Sequence, residues 1–175
     1  MTSDLVSWGG VVNDVADTTN YESRPGMPTI AKLPNGQFIF AYEICGGSGG
    51  CRVFYRLTND PLNINGAGPD IALVSDKGTR PVSSPFVVWT SIGGANGTIV
   101  MSGGSPSQIF VNRQLGAANA WVEYNVPQPN AYSRGLMVFQ SNPAWLAIIG
   151  GGWLPPSSVN RVSISVLNLA QLIGV

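Results

Sequence analysis

Landmarks return along this chain at a nearly constant spacing, and a chain that repeats itself folds as copies of one unit. Arg24, Arg80 and Arg134 lie at steps of 56 and 54; Val53, Ile109 and Val162 at 56 and 53; Trp8, Ile64 and Trp121 at 56 and 57. Short apolar runs separated by Gly, Pro and Asn turns, with a period of about 55 residues, are the signature of propeller blades. The sequence therefore predicts an all-β fold, a β-propeller of four-stranded antiparallel blades, with about three blades in 175 residues. Closed propellers carry about 4–8 blades, so three wedges amount to half a ring. Residues 1–175 read as a single half-domain, with residues 8–16 an outer strand that completes a neighbouring blade.

Composition narrows the chemistry. The net charge is zero and only 10% of residues are charged, which gives no electrostatic case for nucleic acid or an anionic membrane as partner. No apolar run approaches the roughly 18 residues of a transmembrane helix. There is no histidine, so Ser-His-Asp and Cys-His catalysis are excluded and the commonest metal ligand is missing. Neither a metal nor a cofactor is expected. Cys45 and Cys51 enclose Gly-Gly-Ser-Gly-Gly, a segment that lets two sulfurs meet without strain. A disulfide is the favoured reading, and with it a secreted, extracellular protein; two free thiols in a reducing compartment is the other.

The blades can be laid out strand by strand. Innermost strands are expected near Gly26–Leu33, Ser84–Ser91 and Arg134–Gln140. Second strands follow at Gln37–Ile44, Thr98–Gly103 and Trp145–Gly150, after the turn signals Pro34-Asn35-Gly36, Ala95-Asn96-Gly97 and Ser141-Asn142-Pro143. Third strands are expected at Arg52–Leu57, Gln108–Asn112 and Arg161–Asn168. Their nearly continuous apolar content suits strands covered on both faces. Trp121–Val126 is an outermost strand, and Asn168–Ile173 is the single short stretch with helical character.

Few residues can carry chemistry. Glu43 ends the most apolar strand of the chain, where the other two blades have Gly103-Gly104 and Gly150-Gly151. The architecture does not need a carboxylate there, and a buried carboxyl beside aromatic residues suits a general acid. The alternative is a buried ion pair with Arg24 or Arg52. Arg24, Arg80 and Arg134 precede innermost strands and are expected to converge on one end of the channel, where forked guanidiniums bind anionic or polyhydroxylated ligands; bracing of adjacent blades is the competing role. Tyr21, Tyr132 and Trp153 can stack on sugar rings. Asp4 and Asp60 resemble shortened Asp-box turns, a structural role. Glu123 is expected to face solvent.

The stretch Tyr21-Glu22-Ser23-Arg24-Pro25-Gly26-Met27-Pro28-Thr29-Ile30-Ala31-Lys32-Leu33-Pro34-Asn35-Gly36, followed by Ala41-Tyr42-Glu43-Ile44-Cys45, resembles the exo-1,5-α-L-arabinanases of glycoside hydrolase family 93. Ser83–Trp89, Ala131–Arg134 and Ile149–Ser158 are similar as well. The resemblance implies a secreted six-bladed propeller related to sialidases, which releases arabinobiose from linear arabinan with retention of configuration by two glutamates. Tyr42-Glu43 matches one of them, and Glu43 takes the acid/base role. The nucleophile belongs by resemblance to an earlier blade, so the chain is similar to the C-terminal half of such an enzyme. Arg24, Tyr42, Arg80, Tyr132, Arg134 and Trp153 become candidates for holding an arabinan-type oligosaccharide. A homodimer or an N-terminal half would close the ring, and a non-catalytic, lectin-like half-propeller is the alternative function.

Overall fold

The computed structural model describes residues 24–46, 50–64, 68–104, 107–128, 132–152 and 161–175, with backbone alone for 132–134, 152 and 161. Eleven strands form three antiparallel sheets among these residues. The first contains β1 (Arg24–Lys32), β2 (Phe38–Cys45), β3 (Cys51–Thr58) and the short β4 (Ile71–Ala72), in that order. The second contains β5 (Phe86–Thr90), β6 (Thr98–Ser102), β7 (Gln108–Asn112) and β8 (Trp121–Asn125). In the third, β10 (Asn142–Gly152) lies between β9 (Tyr132–Phe139) and β11 (Arg161–Asn168). The inner strands β1, β5 and β9 contact one another in succession, so the sheets are blades around a common side.

Turn chemistry sets the hairpins. At Pro34-Asn35-Gly36 the chain reverses through a left-handed Gly36 (φ 88°), with Leu33 N–H donating to Gln37 O. After β11 a short helix, α1 (Leu169–Ile173), is capped by the Asn168 side chain, which accepts from Gln171 N–H, and stopped by left-handed Gly174.

The continuous apolar runs have a direct cause in blade two. All five residues of β6 are buried. Ile99 and Met101 enter the core shared with blade one, beside Ile39, Ala41, Val53 and Tyr55. Val100 points the other way, into the core shared with Leu136, Leu146 and Ile148 of blade three. Period-2 alternation thus divides one strand between two cores. Across the first of these cores, Trp121 of β8 donates its indole N–H to the Tyr55 hydroxyl at 3.1 Å, and Tyr55 donates in turn to Gly116 O at 2.8 Å. On blade three, β11 instead alternates, with Val162, Ile164 and Val166 exposed.

Several expectations change. Ile64 does not start a strand as its repeat counterpart Trp121 does; it is a buried turn residue, and pairing resumes at Ile71–Ala72. The reason is the turn at Thr58–Asn63, where Asp60 Oδ1 accepts from Leu62 N–H and Asp60 O accepts from Asn63 N–H. That is the structural role expected of Asp60. Glu123 does not face solvent. It is 6% exposed and accepts from Ser75 Oγ and Gln108 Nε2, because the turn after blade one's outer strand covers it. Residues 8–16, Asp4, Tyr21, Glu22 and Trp153 lie outside the described residues.

Tyr42 gives the alkaline limb of stability a testable origin. It is 2% exposed, and its hydroxyl donates to Asp70, which also pairs with Arg56 at 2.6 Å. Burial first, and then the Asp70 hydrogen bond, push this hydroxyl well above the ordinary tyrosine value of 10.0. Above pH 10 the unfolded chain therefore releases a proton that the folded chain keeps, and folding stability falls as pH rises. In urea titrations between pH 8 and 11.5 (about 1.5 units past the ordinary value), Tyr42→Phe is expected to flatten that decline; an unchanged slope would remove Tyr42 as its source.

Candidate functional site

Glu43 lies near the end of β2, directly opposite Gly26 on the inner strand and Val53 on β3. It is 3% exposed. One oxygen, Oε2, accepts from the Ser83 hydroxyl at 2.9 Å and from Ser84 N–H at 2.8 Å. Oε1 has no hydrogen-bond partner among the described residues and lies against Gly26. A Cβ on Gly26 would stand 3.2 Å from Oε1 and 3.5 Å from Arg24 Nη1. The carboxyl and the Arg24 guanidinium therefore flank one point above the start of the inner strand. They form no ion pair with each other, and Arg52 forms none among the described residues; its Nη1 donates to Arg80 O.

Ser83 and Ser84 belong to the crossover from blade one to blade two. The preceding residues run along β3, with Val53 N–H donating to Pro81 O and Ser83 N–H to Cys51 O. The chain then turns inward with φ of 61° and 43° at the two serines, a backbone region costly for non-glycine residues. The hydrogen bonds to Glu43 are what this turn achieves. Sequence reasoning gave neither serine a role in the site; they entered only as the start of the Ser83–Trp89 stretch and of the strand expected at Ser84–Ser91.

Register fixes what stands at the corresponding place in the other blades. Glu43 faces Val53, Ser102 faces Ile109, and Gly151 faces Val162. The equivalent residue in blade two is thus Ser102, one position before the expected Gly103-Gly104. Those glycines have a separate cause: a Cβ at Gly104 would stand 2.8 Å from Val82 O, to which Gly104 N–H donates. Neither of the other blades places a carboxylate there.

The arginine period is not a period of equivalent positions. Gly26, Phe86 and Tyr132 are the residues facing the three equivalent sites. Arg24 precedes the first by two residues, whereas Arg134 follows Tyr132 and falls at the bulge of β9, between the partners of Gly150 and Ile149. Arg80 lies outside any strand, beside β3, with its guanidinium 5.7 Å from the Phe54 ring centroid. Crossovers of unequal length explain this: residues 73–85 lead into β5, but only residues 126–131 into β9. Tyr132 and Arg134 sit near the end of the sheet that corresponds to Glu43, and their side chains are outside the description. Tyr42 points to Asp70, away from Glu43 on the opposite face of β2.

Cys45 and Cys51 are register partners joined by a disulfide beside Glu43. Gly26→Ala provides a local test of the site. The methyl group must push Oε1 aside and fills the space between it and Arg24, so ligand affinity should fall about tenfold or more, with unfolding free energy changed by about 1 kcal/mol or less. Equal affinities by calorimetry would show that this point is not used.

The chain matches solved structures over nearly its whole length. It is 46% identical to the GH93 α-L-arabinofuranosidase of Fusarium graminearum in complex with arabinobiose, covering 91% of this chain and 46% of that one with a TM-score of 0.83. Against the Penicillium chrysogenum α-L-arabinanase complexed with arabinobiose it is 42% identical, covering 98% and 49%, with a TM-score of 0.86. A further structure of the Fusarium enzyme holds an iminosugar inhibitor, with 46% identity and a TM-score of 0.85 over 95% of this chain. No family model and no curated protein matches the sequence. The fold is that of a partial propeller glycosidase. The chain belongs to glycoside hydrolase family 93 and spans about half the length of the solved structures it matches.

Proposed function

We propose that this chain is the acid/base-bearing half of a retaining glycoside hydrolase acting on arabinan or a related plant cell-wall polysaccharide. The observation that carries this reading is the Glu43 carboxyl: buried, absent from the equivalent sites, held through Oε2 and presenting Oε1 beside Arg24. The arabinobiose and iminosugar in the related structures support a sugar as ligand. In this mechanism Oε1 delivers a proton to the leaving glycosidic oxygen and then accepts one from the attacking water. Arg24 positions the sugar, together with Tyr132, Arg134 and Trp153. Tyr42 and Arg80 support β2 and β3 from behind.

Retention requires a second carboxyl about 5–5.5 Å from the first. The other buried one described, Glu123, is on β8 and tied to Ser75 and Gln108. The nucleophile therefore comes from outside the described residues, with a further three-blade unit closing the ring, whether a second copy or the remainder of a longer chain. The disulfide fits a secreted enzyme.

Calorimetric titration with arabinobiose and sugar release from linear arabinan test the reading. Arg24→Ala should weaken binding about tenfold or more, as for a lost charged hydrogen bond. A folded chain that, with the ring closed, neither binds arabinobiose nor releases sugar would overturn it.

A further inference from the structure

Beside Glu43 lie two sulfurs that the glycosidase chemistry does not use. Both sulfurs of the disulfide and a carboxylate oxygen of Glu43 lie within 4.8 Å of one another. Glu43 and Cys45 share a face of β2, two residues apart, and Cys51 stands opposite Cys45 on β3. While the S–S bond exists, the sulfurs cannot act as thiolate ligands. We propose that reduction of Cys45–Cys51 converts this hairpin end into a three-ligand site for a thiophilic divalent cation, Zn²⁺ or Cd²⁺, which takes Glu43 as its oxygen ligand.

The chemistry balances with a named reductant. A water-soluble phosphine supplies two electrons, the S–S bond breaks, each sulfur gains a proton, and the phosphine leaves as its oxide with oxygen from water. The cation then displaces both thiol protons to solvent and binds two thiolates and one carboxylate. A fourth position stays open to water, as in zinc sites with three protein ligands. With bonds of about 2.0–2.3 Å, ligand atoms stand about 3.3–3.8 Å apart, so the sulfurs need only separate modestly after cleavage. Gly46 and Gly50 next to them carry no side chains to resist it.

Three features favour this site. Glu43 is already fixed through Oε2 by Ser83 and Ser84, which leaves Oε1 to offer. Two thiolates and a carboxylate around a divalent ion leave one net negative charge, and the Arg24 guanidinium lies beside Gly26 to balance it. The chain has two cysteines and no histidine, so a soft cation meets no competing ligands of its preferred kind elsewhere. Occupation would sequester the carboxyl to which the proposed hydrolysis assigns the proton.

The test uses the whole chain, reduced with the phosphine and titrated with Cd²⁺ while the ultraviolet thiolate-to-cadmium charge-transfer band is followed. One cadmium per chain is expected, with the band lost in Cys45→Ser and the affinity lowered about tenfold or more in Glu43→Gln. The oxidised chain should show no band. An affinity unchanged by Glu43→Gln, one cadmium for every two chains, or unfolding of the reduced chain by far-ultraviolet circular dichroism would each overturn the proposal. None of these readouts depends on sugar binding or turnover.

Discussion

Trp121→Ala should lower the free energy of unfolding by about 3–5 kcal/mol, the range for truncating a fully buried tryptophan. Trp121 is 1% exposed and belongs to blade two, yet its packing and hydrogen-bond partner is Tyr55 of blade one. The rings meet edge to face, with centroids 5.5 Å apart, a favoured aromatic geometry. Truncation empties the centre of the core between the two blades and cannot be repaired by local collapse, because the surrounding strands are fixed by their ladders. Tyr55→Phe separates the polar share: the indole N–H loses its acceptor and Gly116 O its donor, a cost of about 1–3 kcal/mol. Urea unfolding at equal m-values measures both. A loss below about 1 kcal/mol for Trp121→Ala would mean that this interface does not hold the blades together.

In the closed ring that supplies the nucleophile, Glu43→Gln should reduce sugar release from arabinan by about 100- to 10,000-fold, the usual contribution of a general acid. The amide oxygen can still accept from Ser83 and Ser84, so the exchange preserves the geometry while removing the transferable proton. Arabinobiose affinity and unfolding free energy should therefore stay close to those of the parent chain. Glu43→Ala is the less informative substitution, since it leaves the buried Ser84 N–H without an acceptor and adds a penalty of about 1–3 kcal/mol. Parallel loss of stability and turnover in Glu43→Gln would assign the residue to the fold; unchanged turnover would remove it from catalysis.

Strand positions were readable because each blade announces itself through punctuated apolar runs, and β1–β3 and β5–β11 fall within a few residues of their expected places. Glu43 was readable for a related reason: one acid stood where its counterparts had none. Features that depend on crossovers were not. The Arg24–Arg80–Arg134 spacing mixed an inner-strand start, a bracing loop and a bulge, because connections of different length happen to restore a similar count. Serines with positive φ leave no trace in composition, so the support of Glu43 by Ser83 and Ser84 emerged only from geometry. Glu123 looked solvated because local alternation says nothing about a turn arriving from another blade.

The division of β6 between two cores bears on how the molecule comes apart. A stack of repeats can lose its end units first when each contacts only its neighbours. Here the central wedge shares its side chains with both flanks, so opening either interface strips support from a strand that the other also requires. The amides of β6 should accordingly exchange with deuterium only through global opening, on the slowest timescale of the molecule, and the three wedges should melt in a single cooperative step.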